Sequence, residues 1–390
     1  MGNGELYAEA GRRFRDAFGH VHSVAAYAPG RVEILGNHTD YNEGFVLSAA
    51  IDFGTYVLVS RTSDGDCRLV AGDLSEEAHF AMSSLAPSKD KTWPNYVMGV
   101  LDGLARTHDI GVGFHGLLLG NIPLGAGLSS SAALEMATGL ALATLYELDV
   151  TPLDLARIGQ AAEHTYVGVQ CGLLDQISSL FGKRNHLVMT DFRTLEVETV
   201  PLGDEACFLM CNTHARHALV DGEYNSRRQH CEEAAAFFEA ELDHPVTALR
   251  DVSWEEWQQF AAGMDDVTAR RAAHPIGENK RVAEGRTLLE KGDLESFGRL
   301  MFDSHTSSRV NFENSCRELD FLVDTASRIP GVLGARLSGG GFGGSAVVLL
   351  HPRDVETAQH ALASAYSREF GTPCDIRVIA PANGARLVQR

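Results

Sequence analysis

The chain has 390 residues, 44% of them apolar, and a formal net charge of -19. That length supplies one large core or two ordinary ones and suggests two or three domains. The acidic balance excludes nucleic acid and anionic membrane surfaces as partners, since both reward clustered Lys and Arg. Seven cysteines (Cys67, Cys171, Cys207, Cys211, Cys231, Cys316 and Cys374), odd in number and without a CxxC pair, fit reduced thiols in a cytosol. The opening MGNGEL is neither a cationic leader nor a myristoylation signal, and no run of about 18 apolar residues occurs, so a soluble cytoplasmic protein is expected.

In chain order, Leu6, Ala10, Phe14 and Phe18 mark one face of an amphipathic helix, with Arg12, Arg13 and Arg15 on its solvated side. Tyr56 to Arg61 and Leu117 to Leu119 read as strands. Next comes LGNIPLGAGLSSSAALEM, Leu119 to Met136, a glycine and serine loop between a strand and a helix. Gly125 and Gly127 lack a Cβ and let backbone amides approach an anion, and a helix starting near Ser129 aims its unpaired amides and positive dipole end at it. Ser129, Ser130 and Ser131 add hydroxyls for phosphate oxygens or a magnesium ion. No Lys follows in a GK[ST] pattern and Ser130 stands where a third dinucleotide-binding glycine would be, so neither of those fingerprints applies. A plain glycine turn is the competing reading.

Leu134 to Leu148 reads as the following helix, and AEHTYVGVQCGLLDQ from Ala162 carries two acids twelve apart, Glu163 and Asp175, around a partly buried segment. Cys171 has no adjacent base and reads as a packed thiol. Val197 to Leu202 reads as a strand, Gly203 and Asp204 as a turn, Asn225 to Glu241 as a helix, Ala346 to Leu350 as a strand and Val355 to Phe370 as a helix. His214 and His217, three apart, could share a helix face but lack a third ligand, so zinc is not expected.

Three segments carry a family resemblance. The serine loop reads Pro123, Gly125, Ala126, Gly127, Leu128, Ser129, Ser130, Ser131, Ala132 and resembles the PxGxGLSSSA motif of the GHMP small-molecule kinases. Residues 28 to 52, APGRVEILGNHTDYNEGFVLSAAID, resemble the galactokinase signature GRxNxIGEHTDYNxGxVLPxAI, and ARLSGGGFGGS from Ala335 resembles the family's third glycine motif. Weaker similarity at TWPNYVMGV from Thr92, at AEHTYVGVQCGLLDQ, at RHALVDGEYNSRRQHCEEAA from Arg216 and at FGRLMFDSH from Phe297 extends the resemblance over the whole chain.

The resemblance implies an α+β, two-domain GHMP kinase fold, residues 1–195 and 196–390, with the active site in the interdomain cleft. It implies transfer of the γ-phosphoryl group of ATP to the anomeric hydroxyl of galactose, with Mg²⁺ and no partner protein. Residue by residue, Asp175 is expected at the reacting hydroxyl, taking its proton or orienting it, with Arg31 beside it to offset transition-state charge. The phosphate loop falls on Gly125 to Ser131, the metal ligands on Ser131 and Glu163, and the sugar contacts on Asn37, His38, Asp40, Gly172, Asp175 and Tyr224. Asp40 is expected to accept from two adjacent ring hydroxyls and the Gly172 amide to donate.

The chain departs from the family's pattern in four places, three of them within the signature. Glu33 stands where the family has asparagine, Asn37 where it has the glutamate that meets the sugar's C6 hydroxyl, and Ser48 where it has proline. The segment RVNFENSCRELD after Ser308 also differs. Loss of the acid at position 37 is expected to relax discrimination at C6, making a related sugar such as galacturonate the alternative substrate. A second alternative is a non-catalytic sugar and ATP sensor. A paralogue of that kind lacks the Ser-Ala pair, which this chain keeps as Ser131 and Ala132.

Overall fold

The computed structural model describes residues 2–123, 125–216 and 220–389. The strands are β1 (Val24–Leu35), β2 (Phe45–Arg61), β3 (Asp66–Ala71), β4 (Glu76–Ala81), β5 (Phe114–Gly120), β6 (His186–Asp191), β7 (Val197–Pro201), β8 (Cys207–Arg216), β9 (Val332–Ser338), β10 (Gly343–Leu350), β11 (Asp375–Ile379) and β12 (Arg386–Leu387). The helices are α1 (Asn3–Phe18), α2 (Trp93–Ala105), α3 (Ser130–Tyr146), α4 (Pro152–Ala162), α5 (Leu174–Phe181), α6 (Val220–Glu241), α7 (Trp254–Phe260), α8 (Asp266–Glu290), α9 (Leu294–Ser307), α10 (Arg317–Ala326) and α11 (Val355–Phe370).

Two sheets organise these elements. The first runs β12-β1-β2-β5-β3-β4, with β6 joined to β2 and β7 to β6, and its only parallel pair among the described residues is β3 with β5. The second is antiparallel, β11-β8-β10-β9. β1 is buried along nearly its whole length, and its two charged residues, Arg31 and Glu33, are buried with ion-pair partners, Asp175 and Arg336. α3 packs across β1 and β2 through Ala133, Ala137 and Ala141, all fully buried, and these small side chains let helix and sheet approach closely. One core cluster joins Val32 and Leu47 of the first sheet to Phe208 and Val347 of the second. The floor of the cleft is therefore continuous apolar packing.

The opening helix buries Leu6, Ala10 and Phe14 as its spacing predicts and stops at Gly19 in the left-handed region (φ 76). α3 ends two residues short of the predicted Leu148, because Glu147 turns left-handed (φ 59) and its amide closes back on Ala143 and Thr144. α6 begins five residues before the predicted Asn225. His214 lies on β8 and is exposed, so it shares no helix face with a partner; His217 falls outside the described residues. No described helix is long and apolar enough to cross a membrane.

Candidate active site

The loop between β5 and α3 is fixed from behind. The carbonyl of Leu128 accepts from the Arg31 amide (3.1 Å), that of Gly127 from Arg31 Nη1 (2.8 Å) and that of Ala126 from Ser345 Oγ (2.8 Å). The first glycine motif, through Arg31, and the third, through Ser345, thus clamp the second. Gly127 adopts φ 71 with open space where a Cβ would lie, so backbone conformation and not crowding requires glycine there. At the helix start Ser129 is also left-handed (φ 52) and no side chain caps α3. The first-turn amides of α3, from Ser130 onward, therefore have no capping side chain and remain available to an anion.

Ser129 turns its hydroxyl onto Asp175 Oδ2, while Arg31 binds Asp175 Oδ1 through Nε (2.8 Å) and Nη2 (2.7 Å). Both carboxylate oxygens are thus held, one by a cation and one by a hydroxyl at the mouth of the anion loop. Asp175 lies in the first turn of α5, which packs against β1 and α3, so the helix and the loop fix each other.

Glu163 ends α4 at a π-helical turn, Glu163–Val167, and the Ser131 hydroxyl lies close enough to its carboxylate to lower its pKa. Burial holds this carboxyl above the usual range, partly offset by Ser131. Beneath it Glu135, fully buried and hydrogen-bonded to Gln176 Nε2 (3.0 Å), is pushed well above the carboxylate range by burial and by the Glu163 charge. Ser131 and Glu163 form a hard oxygen pair suited to Mg²⁺ sharing its remaining positions with phosphate and water. Among the described residues no three His, Cys, Asp or Glu side chains cluster as a self-sufficient metal site.

On the other side of Asp175 opens a cavity of about 490 Å³, whose wall includes Arg31, Glu33, Asn37, Asp40, Gly172 and Tyr224. Asp40 is pushed up to about 6, first by burial and then by the Glu33 charge. A Cβ on Gly172 would lie 2.6 Å from Asp40 Oδ2, so a side chain at 172 has to push the Asp40 carboxylate aside. Tyr224 packs on His38 (ring centroids 5.1 Å apart) and Tyr41 (5.9 Å).

His38 is neutral, its pKa lowered to about 4 by burial. Its ring lies between the Tyr41 hydroxyl at Nδ1 (3.0 Å) and the Gly340 carbonyl at Nε2 (3.1 Å). Asn37 is equally committed: Nδ2 donates to Glu33 Oε1 (3.0 Å) and the Gly339 carbonyl (2.8 Å), and Oδ1 accepts from Asn314 (2.9 Å). Both side chains reach the cavity wall but spend their hydrogen bonds within the protein.

Two outcomes follow from this geometry. Gly172→Ala raises the KM for the sugar about 5- to 100-fold with a smaller change in kcat, because overpacking against Asp40 costs about 1–3 kcal/mol. Steady-state kinetics with ATP saturating checks this. The Asp40 carboxyl, raised to about 6, is ionised above that pH and protonated below it. With Asp40 on the sugar, as the family resemblance implies, the sugar Kd of the nucleotide-free protein weakens as pH falls through about 6, and Asp40→Asn flattens the profile. Calorimetric titration between pH 5 and 8, by design of about three units, reads both.

The structure brings Arg31, Asp175, Glu163 and Gly125 to Ser131 together at one end of the cleft, and Asn37, His38, Asp40, Gly172 and Tyr224 along the cavity. Sequence reading misses the distinct place of Ser129 on Asp175, the buried Glu135, and the partners that tie up Asn37. It also misses Arg336, fully buried and paired with Glu33 Oε1 at 3.0 Å. Ser48, at the usual proline, bonds Ser178 (2.6 Å) and ties β2 to α5.

Comparison with known proteins agrees with this arrangement. The galactokinase galactose-binding signature matches residues 12–61, the GHMP kinases N terminal domain residues 95–183, and the GHMP kinases C terminal domain residues 286–368. A galactokinase of Pasteurella multocida is 40% identical over 97% of this chain and 98% of its own length. One from Haemophilus influenzae is 40% identical over 94% of this chain and 95% of its own. The crystal structure of Lactococcus lactis galactokinase complexed with galactose superposes with a TM-score of 0.91 at 32% identity, covering 98% of this chain and 99% of that one. With the three glycine motifs meeting around Asp175 and relatives aligned end to end, the chain belongs to the galactokinase family of GHMP kinases.

Proposed function

We infer that this protein is an ATP-dependent sugar 1-kinase that converts galactose to galactose 1-phosphate. The observation that carries the reading is Asp175, held between Arg31 and Ser129, with an open helix N-terminus on one side and a polar cavity on the other. A sugar in that cavity presents its anomeric hydroxyl to Asp175, with Asp40, the Gly172 amide and Tyr224 around the ring. The ATP phosphates lie on the loop from Gly125 to Ser131. Asp175 takes the hydroxyl proton or orients the oxygen for in-line attack, and the fixed Arg31 cation offsets the charge on the transferring group.

Ser131 and Glu163 would hold Mg²⁺, which when bound neutralises charge on the nucleotide phosphates. Glu163→Gln therefore raises the Mg²⁺ concentration needed for half-maximal rate, by about tenfold or more, and leaves metal-free sugar binding unchanged. Magnesium titrations of both proteins check it. An unchanged requirement moves the metal ligand elsewhere.

We place the domain boundary near residue 195, with the chain end returning to the first sheet, and the enzyme in the cytoplasm. The test of the whole reading is a screen of free sugars for ATP consumption, with the product identified by phosphorus NMR. Galactose 1-phosphate is the expected product. Sugar and ATP binding without turnover would instead support the sensor.

A further inference from the structure

The exchange of Glu33 and Asn37 looks from sequence like the loss of an acid from the sugar pocket. We propose instead that Glu33 is the specificity-determining acid of this pocket, reading the exocyclic C6 hydroxyl, and that Asn37, Asn314 and Arg336 position it. This rests on the reading of the cavity as a galactose site with the anomeric hydroxyl at Asp175.

Asn37 cannot donate to a sugar. A primary amide has two N–H donors. Both are spent, on Glu33 Oε1 and on the Gly339 carbonyl, and the Asn37 side chain is buried (1% exposed). Its oxygen already takes the Asn314 amide. The partners come from the departing segment after Ser308 and from the third glycine motif. The unusual residues at 33, 37 and 314 are therefore one connected set.

Glu33 has the opposite balance. The side-chain hydrogen bonds it receives, from Asn37 and from Arg336 (both 3.0 Å), fall on Oε1. Oε2 has no protein donor among the described residues, and Glu33 lines the cavity. The donors on Oε1 fix the carboxylate and leave Oε2 as a pre-set acceptor. Arg336 is fully buried and cannot itself reach a ligand from the cavity wall. The effect of Glu33 on its neighbours is already visible, since its charge is the largest one raising Asp40.

Position along β1 selects the part of the sugar that Glu33 meets. Arg31 pairs with Ala50 and Glu33 with Ser48 in unbroken register, so the two side chains share a strand face. Two residues of extended chain span about 6.5 Å, roughly the reach of one pyranose from the anomeric oxygen to the C6 hydroxyl oxygen. With the anomeric end at Arg31 and Asp175, Glu33 lies at the far end, where a hydroxyl donates to it and a carboxylate is repelled.

The wild-type enzyme accordingly prefers galactose over 6-deoxygalactose by about 10- to 100-fold in kcat/KM, and over galacturonate by about 100-fold or more. Glu33→Gln lowers kcat/KM for galactose by about tenfold or more and raises the galacturonate-to-galactose ratio by at least about tenfold. Asn37→Glu places a second carboxylate against Glu33 Oε1 and the Gly339 carbonyl, so it weakens every sugar and does not sharpen selectivity. Wild-type protein that uses galacturonate within about tenfold of galactose, a fold-change well inside the expected gap, overturns the proposal without recourse to any variant. So does a Glu33→Gln enzyme with an unchanged galacturonate-to-galactose ratio. Wild-type protein that phosphorylates another sugar and ignores galactose refutes the substrate reading itself, and is told apart because no galactose rate exists to compare.

Discussion

Asp175→Asn lowers kcat by about 10²-fold or more while the protein remains folded and binds nucleotide, the range a positioned acid/base group supplies. The geometry gives the reasons. In the native protein one carboxylate oxygen carries two bonds from Arg31 and the other takes the Ser129 hydroxyl. An amide can accept no proton from the sugar. It also turns an NH₂ group either toward the guanidinium, setting donor against donor, or toward Ser129, whose hydroxyl must then accept where it had donated. The buried Arg31 then loses its counter-charge beside the transferring phosphoryl group. Circular dichroism and nucleotide titration establish that the variant is folded, and single-turnover phosphorylation isolates the chemical step. A variant within a few-fold of wild type would remove Asp175 from the reacting centre.

The largest loss of stability is expected at Glu278 of α8. It is fully buried and accepts the amides of Gly36 (2.8 Å) and Asn37 (3.0 Å) together with Arg281 Nε (2.5 Å). Burial by itself raises this carboxyl, but Arg281 and Arg336 outweigh burial and hold it well below the ordinary carboxylate range. Glu278→Ala leaves two buried amides without their acceptor and the Arg281 guanidinium without its carboxylate, and destabilises the protein by about 3–5 kcal/mol. Urea unfolding reads this as a lower midpoint at unchanged slope.

A depressed carboxylate stabilises the fold above its unfolded pKa of about 4.3 and loses that contribution as pH falls toward its folded value. Wild type therefore loses stability below about pH 4 more steeply than Glu278→Gln, which has no proton to take up there. Parallel acid slopes in the two proteins would show that Glu278 is not ionised in the fold.

Much of the site was legible because its groups are local in sequence. The serine loop announces its own turn and helix start, and the Glu163 to Asp175 spacing carries both acids on one folded segment. Strands and helices with strong periodicity, such as the opening helix and Val355 to Phe370, fall where their patterns put them. What stayed hidden depends on long-range partners. Asn37 looks like a sugar donor until Asn314 and Gly339, 277 and 302 residues away, are seen to occupy its amide. His38 is likewise spoken for by Gly340. Ser129 could not be told from its two neighbours, because only its left-handed backbone swings its hydroxyl to Asp175.

The return of the chain end to the first sheet bears on how the protein is made. β12 pairs with β1 through Ala26 with Leu387 and Tyr27 with Arg386, and Pro381 bridges Ile51 just before it. During synthesis the outer edge of β1 therefore stays open until residue 387 has emerged, long after the rest of its sheet could form. A buried strand with an unpaired edge is a template for aggregation. The nascent protein carries that exposed edge until then, so deleting Arg386 and Leu387 should damage yield and solubility far more than their two-residue strand suggests.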